Sequence, residues 1–428
     1  MIRSNFNVVN RKKKKSTALK TSLNVKQQEL ALRARFEDRV RQLFTLYGGT
    51  ELLARIPPIY IEKLFECRYP ILKAKAAEGS SIPKSTIVKF NKLLYSLMED
   101  MYVQLENGNK IPLSWYVSEG IMLIDAMTEL AKDNDPANEF IFKPFEPYFP
   151  DTQEYIEIQN QLRELLIDAI RFFSDYNESI LQLDTSASAC FEQFYPANDI
   201  LIHAFKPDAV TVSLKDGLHS TKRLGWVYPD LKWKYVKVKP SMLGFKSGIM
   251  DIPLDIYVQT HALKRLSERI NITPGIMHEI LFLIFMQDKI EYCWHNGNCL
   301  VTYRVSGEKA GYLVVKLHTD KLVVHTFLFL TNDDTPEGDQ LKKLVEIEKA
   351  DKQYMQIDNL PEFNAYHIDR NEQLSKLFRD AGCGSLLKLG HLQEFSVNQV
   401  KDKNPDSILG YLVDTKYFRK DEGLGIAE

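Results

Sequence analysis

The chain has 428 residues, 44% of them apolar and 26% charged, and a formal net charge of −2. That length can bury two or three cores, and the balance is ordinary for a soluble globular protein. Five scattered cysteines (Cys67, Cys190, Cys293, Cys299 and Cys383) with no CxxC exclude a disulfide scaffold and point to a reducing, cytoplasmic setting. No apolar run approaches the roughly 18 residues that span a bilayer, so no membrane partner is expected. The basic start lacks an apolar segment after it, so no secretory signal is expected either.

The fold class expected is α+β. Residues 1–24 read as a flexible basic tail: Arg3, Arg11, Lys12, Lys13, Lys14, Lys15 and Lys20 precede the first acid, Glu29. A helical domain is expected over 25–183. In it Leu30, Phe36, Val40, Leu43, Phe44 and Tyr47 recur at helical spacing, and Gly48-Gly49 supplies a stop. Ser85–Leu105 and Ser114–Asp133 read as further helices, and the Phe- and Pro-rich loop 140–151 packs over them. Asp151 starts a long helix with Ile158, Leu162, Leu165, Leu166, Ala169 and Phe172 on its apolar side. This domain carries no catalytic signature and suits a structural role, a protein partner or self-association.

Residues 184–256 form a basic, β-rich segment with the runs AVTVSL, RLGWVY, LKWKYVKV and PSMLGFKSG. Over 201–250 nine Lys/Arg face three Asp. Lys232, Lys234, Lys237 and Lys239 alternate with Trp233 and Tyr235. Lysines bind phosphate and aromatic faces stack on unpaired bases, which points to RNA. The alternative is a lysine-rich, solvated sheet face that protects an edge.

Residues 257–331 hold five of the nine histidines: His261, His278, His295, His318 and His325. A first helix starts near Thr260, a plausible cap. On its wheel His261, Arg265, Glu268 and Arg269 share one side, and Leu263, Leu266 and Ile270 the other. This polar side reads either as a solvated surface or as an active-site face. A second, apolar helix starts at Thr273-Pro274, with His278 in a structural role. Four strands follow, over Ile290–Trp294, Cys299–Val305, Tyr312–Leu317 and Leu322–Leu330, joined by turns short enough to force antiparallel neighbours. Tyr303 falls with Val301 and Val305 on one face, and Thr302 with Arg304 on the other. Strict alternation puts His325 with Val323, Phe327 and Phe329, and Thr326 with Val324 and Leu328. A polar face opposite the helices needs Arg304, Lys316 and one of His325 or Thr326.

Residues 332–428 form a C-terminal helix and a mixed tail. Thr335-Pro336-Glu337 marks a helix start, with the helix running to about Ala350. A helix over Asn371–Ala381 and a strand over Ile408–Val413 complete the tail.

The stretch THALKRLSERINI, the apolar second helix, the four strands and the closing VVHTFLFLT resemble the barnase–EndoU–colicin–RelE superfold. They are similar in particular to its small toxin-like members, whose pattern begins H-x3-R-x3-R and ends in a β-meander. The resemblance covers residues 255–331. It implies metal-independent endoribonuclease chemistry with no cofactor: a base takes the ribose 2′-hydroxyl proton, the oxygen attacks phosphorus, and an acid protonates the leaving oxygen. Carried onto this chain, His261 matches the motif histidine, Arg265 and Arg269 the two arginines, Arg304 a phosphate clamp, and His325-Thr326 the polar end of the last strand. Catalysis then falls to His261, Arg265, Arg304, His325 and Thr326. RNA binding falls to Arg269, Lys316 and the four lysines of 232–239. A neutralising protein partner is a further possibility.

Two other readings stand. The module has lost catalysis and serves RNA binding or assembly, or Cys293, His295 and Cys299 hold zinc, for which the fourth ligand is missing.

Overall fold

The computed structural model describes residues 5–133, 135–191, 197–214, 217–246, 251–395 and 400–422. Arg3 and the last residues of the run 240–248 lie outside them.

Apolar residues at helical spacing organise the first part of the chain. Helix α1 (Asn5–Arg55) buries Phe36, Val40, Leu43, Phe44 and Tyr47. Leu30 shares the spacing but is exposed, because aromatic packing on α1 begins further on, where Phe36 meets Phe65 at 5.3 Å between ring centroids. α1 breaks at Gly49, whose φ of 78° is open to glycine. Its start at Asn5 puts most of the stretch read as a tail in helix; that stretch contains neither Gly nor Pro. Helices α2 (Pro58–Glu66), α3 (Lys84–Asp100), α4 (Ile121–Lys132) and α5 (Gln153–Phe173) follow. Between α3 and α4 the strands Tyr102–Gln104 and Lys110–Pro112 pair across Gly108 (φ 87°), where the helix was expected to continue to Leu105. Phe145 and Tyr148, from the Phe/Pro loop, pack on Tyr47 at 4.4 and 5.3 Å. On α5 the apolar side is buried as expected, except for Phe172, which is exposed.

The chain divides into two compact units, Met1–Ala169 with Asp184–Ile202, and Ile170–Leu183 with His203–Glu428. The division differs from that read in the sequence. Asp199–Ile202 pairs in parallel with Lys73–Ala76, a non-local pairing that draws the start of the β-rich segment into the helical unit.

In the second unit the strands are β1 (Ala209–Leu214), β2 (Gly217–Arg223), β3 (Trp233–Tyr235), β4 (Leu254–Gln259), β5 (Tyr292–His295), β6 (Asn298–Val305), β7 (Glu308–His318) and β8 (Lys321–Phe329). All but β3 lie in one sheet, ordered β5-β6-β7-β8-β4-β2-β1, with Lys237–Val238 paired to the start of β4. β3 pairs with Gly225–Val227. β5 to β8 form an antiparallel meander, and β4 enters parallel to β8. Helices α6 (Thr260–Ile270) and α7 (Pro274–Met286) precede it, so the expected α-α-β-β-β-β order is present.

The buried residues of α6 are Ala262, Leu263, Leu266 and Ile270; they share one core with Ile256 and Val258 of β4 and Leu322 and Val324 of β8. Thr260 does not cap α6: its hydroxyl meets the Ser220 carbonyl at 3.3 Å and ties the helix start to β2. The fully buried Tyr303 donates to the Met277 carbonyl at 3.0 Å and pins α7 to the sheet. The opposite face is covered towards β6, where Tyr312 is buried and donates to Glu337 at 3.0 Å.

Beyond the sheet, Thr335 caps α8 (Pro336–Val345), its hydroxyl accepting from Gly338 N–H. Glu346, at φ 53°, ends that helix short of Ala350. Asn371 caps α9 (Glu372–Asp380) in the same way. The strand expected over Ile408–Val413 is instead helix α10 (Asp406–Leu412). Ile408 and Leu412, four apart, are buried together there, a helical and not an alternating pattern. Among the described residues no helix is long and apolar enough to cross a membrane.

Candidate active site

The decisive feature is one extra residue in β8. Val324 pairs with Val315 and Thr326 with Val314, so His325 is inserted without a partner on β7. A bulge of this kind re-aims side chains and increases twist, and often lies beside a functional site. It also overturns the strict alternation expected along β8. Val323 pairs with Lys316 and Phe327 with Leu313, so Val323 and Phe327 lie on opposite faces. His325 stays on the face of Val323, and Thr326 joins it there instead of lying with Val324.

This face is the one turned away from α6. On it Lys316 and His318 come from β7, Tyr257 and Gln259 from β4, and Arg223 from β2, as the pairings Tyr257↔Val323, Tyr257↔Arg223 and Lys316↔Val323 require. The two histidines meet: His318 Nε2 and His325 Nε2 are 2.9 Å apart, with the rings stacked at 5.2 Å and 28°. Gln259, almost fully buried, directs its Nε2 at His325 Nδ1 from 3.5 Å, the outer limit of a hydrogen bond. With Gln259 donating, His325 Nδ1 is an acceptor and its Nε2 carries the proton. In that tautomer His325 Nε2 is the donor and His318 Nε2 the acceptor of the 2.9 Å contact. Lys316 is exposed beside the pair. Lys321, opposite His318 on the tight turn, lies over the Tyr257 ring at 5.5 Å and reaches Asp320 at 3.1 Å.

The other residues singled out from the sequence are not gathered here. His261 is exposed at the start of α6, two residues past Gln259. Arg265 pairs with Glu268 of its own helix at 3.1 Å. Arg269, half-buried, packs against the buried Asp358, binding its carboxylate and, at 2.8 Å, its carbonyl. Arg304 makes two 3.0 Å bonds to Glu291 and one to the Gly307 carbonyl. It pairs with Lys309, whereas Thr326 pairs with Val314. That separates Arg304 from the level of His325 by ~17 Å along the strand. Lys232, Lys234, Lys237 and Lys239 are all exposed, with Lys234 over the Tyr228 ring at 4.8 Å.

Arg269 is therefore a clamp between α6 and the segment before Asn359. Arg269→Ala leaves a buried carboxylate unpaired and is expected to destabilise the protein by on the order of 3 kcal/mol. A urea midpoint equal to wild type would contradict this.

His278 and His295 are held structurally. His295 Nε2 binds Asp339 at 2.7 Å. His278 Nδ1 accepts the Tyr176 N–H at 2.9 Å, and its buried Nε2 has no partner among the described residues. Burial, opposed by Asp175, lowers its pKa from 6.5 to about 4. Between those values the unfolded chain binds the proton and the folded one does not. Stability from this group is thus complete above pH 6.5 and is lost as pH falls towards 4. Denaturation midpoints at pH 7 and pH 5 measure the loss, which His278→Gln is expected to reduce.

Cys293 and His295 lie on one face of β5, and Cys299 pairs with Trp294 on the other. Cys299 is fully buried, with its sulfur on the Leu243 carbonyl, so these three do not converge on a zinc ion. Among the described residues no group of three or more His, Cys, Asp or Glu is placed to hold a metal.

Comparison with known protein families, curated proteins and solved structures finds no match for this chain.

Proposed function

We propose that the second unit is a metal-independent endoribonuclease of the toxin-like type, with His318 and His325 as its acid–base pair. The observation that carries this reading is the 2.9 Å contact between two histidines on a half-open sheet face, flanked by Lys316 and Lys321. His318, the acceptor, takes the 2′-hydroxyl proton of a ribose. O2′ then bonds to phosphorus as the P–O5′ bond breaks, and His325 gives its proton to O5′. Lys316 and Lys321 offset charge on the non-bridging oxygens. In an in-line displacement the attacking and leaving oxygens lie on opposite sides of phosphorus, so substrate entry parts the two rings. His318 stands at the end of β7, beside the exposed turn that leads to Lys321. The helix–meander order and the resemblance to barnase–EndoU–colicin–RelE toxins support the same class.

Purified protein incubated with mixed RNA and a chelator tests the proposal. Products ending in 2′,3′-cyclic phosphate are expected; intact RNA recovered at every protein concentration would contradict it. One observation favours a non-catalytic RNA-binding module instead: Arg265, Arg269 and Arg304 are each held by a carboxylate of the protein itself. RNA retained but never cut is the outcome that reading expects.

A further inference from the structure

A chain of aromatic and cationic side chains leads across the sheet to the histidine pair. It starts on β3, where the rings of Trp233 and Tyr235 are stacked within 10° of parallel at 5.8 Å. The Arg223 guanidinium lies 3.9 Å over the Tyr235 ring. Arg223 is the direct cross-strand partner of Tyr257. Lys321 lies 5.5 Å over Tyr257, and Lys321 is the cross-strand partner of His318. Every link is a ring contact or a register pair, and the rings and cations along it are half-buried.

We infer that this row is the path of a single-stranded RNA, whose bases stack on Trp233 and Tyr257, with Tyr235 and Arg223 holding Trp233 in place, while its backbone reaches His318 and His325. The inference rests on the ribonuclease reading and adds the substrate class, unpaired RNA longer than the cleaved dinucleotide.

The physical case is the chemistry of the row. Flat rings offer a stacking surface to any base, worth a measurable share of affinity for each base engaged, without sequence selection. An arginine plane extends the stack. The carboxylates along the row hold its members in place: Asp255 binds Arg223 at 2.9 Å, Asp208 accepts the Tyr235 hydroxyl at 2.7 Å, and Asp320 binds Lys321. They also offset most of the positive charge. Recognition here is therefore by stacking more than by phosphate neutralisation, and a shallow salt dependence follows. A duplex keeps its bases inside and offers nothing to the rings.

The test uses full-length protein carrying His318→Ala and His325→Ala, which binds without cutting, and a fluorescein-labelled single-stranded RNA of about ten nucleotides. Adding Trp233→Ala or Tyr257→Ala is expected to weaken binding about ten-fold or more, with Trp233→Phe and Tyr257→Phe restoring it. Lys321→Gln, a surface change with little folding risk, is expected to weaken it less. The same duplex RNA is expected to bind poorly to all variants. In the otherwise wild-type enzyme Trp233→Ala is expected to raise KM and leave kcat. Unchanged affinity and KM in an enzyme that cleaves RNA would overturn the path and leave the ribonuclease reading standing. Ring-dependent binding by a wild-type protein that never cleaves would overturn the ribonuclease reading and support the path. Neither cleavage nor ring-dependent binding would overturn both.

Discussion

Replacing His318 or His325 with alanine is expected to lower RNA cleavage by about 10²- to 10⁴-fold, the usual share of a positioned acid or base. The two losses arise differently. On the proposed mechanism His318→Ala removes the base that takes the 2′-hydroxyl proton. Without His325 the leaving oxygen departs unprotonated, and His318 also loses the donor that orients it at 2.9 Å. Gln259→Ala removes the amide facing His325 Nδ1 and frees the ring to exchange tautomers, so a smaller loss with unchanged KM is expected. His261→Ala, at an exposed position on α6, is expected to stay within a few-fold of wild type. Rates of the variants on one RNA, with circular dichroism to confirm folding, check all four. Full activity in both His318→Ala and His325→Ala would remove the pair from the chemistry.

Truncating Tyr303 is expected to cause the largest loss of stability. The side chain is fully buried, its ring meets Phe327 edge-on at 5.4 Å, and its hydroxyl donates to the Met277 carbonyl. Tyr303→Ala removes that volume between α7 and the sheet, and rigid surroundings close only part of the cavity. A cost of about 3–5 kcal/mol follows. Tyr303→Phe keeps the ring and strands one buried carbonyl, for a cost of about 1 kcal/mol. Thermal and urea unfolding of the two variants distinguish the contributions, and equal midpoints for both would show that the hydroxyl and not the ring holds α7.

What the sequence discloses here follows the range of the interaction involved. The helices and the meander of the second unit are legible because their signals are local: Pro274 and Pro336 in first turns, Asn296-Gly297 and Gly307 at hairpins, and alternation along β6 and β7. Tyr303 shares its face with Val301 for the same reason. The site is less legible. His318 is visible beside Lys316, but its meeting with His325 depends on the register of a hairpin and on a bulge that no residue type announces. Gln259 reaches His325 only because β4 inserts in parallel beside β8, a pairing between residues more than sixty positions apart in sequence. The arginine motif on α6 was visible, but the acids that hold it, Glu268 and above all Asp358, are what decide its role, and Asp358 lies in a remote segment. The hairpin at 102–112 was hidden inside an apolar pattern that continues a helix.

The acid–base pair is tested most directly by changing the leaving group. A uridine 3′-phosphodiester with a nitrophenyl group departs without needing a proton, so it bypasses the acid but not the base. The expected result is that His325→Ala cleaves it at close to the wild-type rate while His318→Ala remains slow. Equal losses in both variants on this substrate, or the reverse order, would contradict the assignment of His318 as base and His325 as acid.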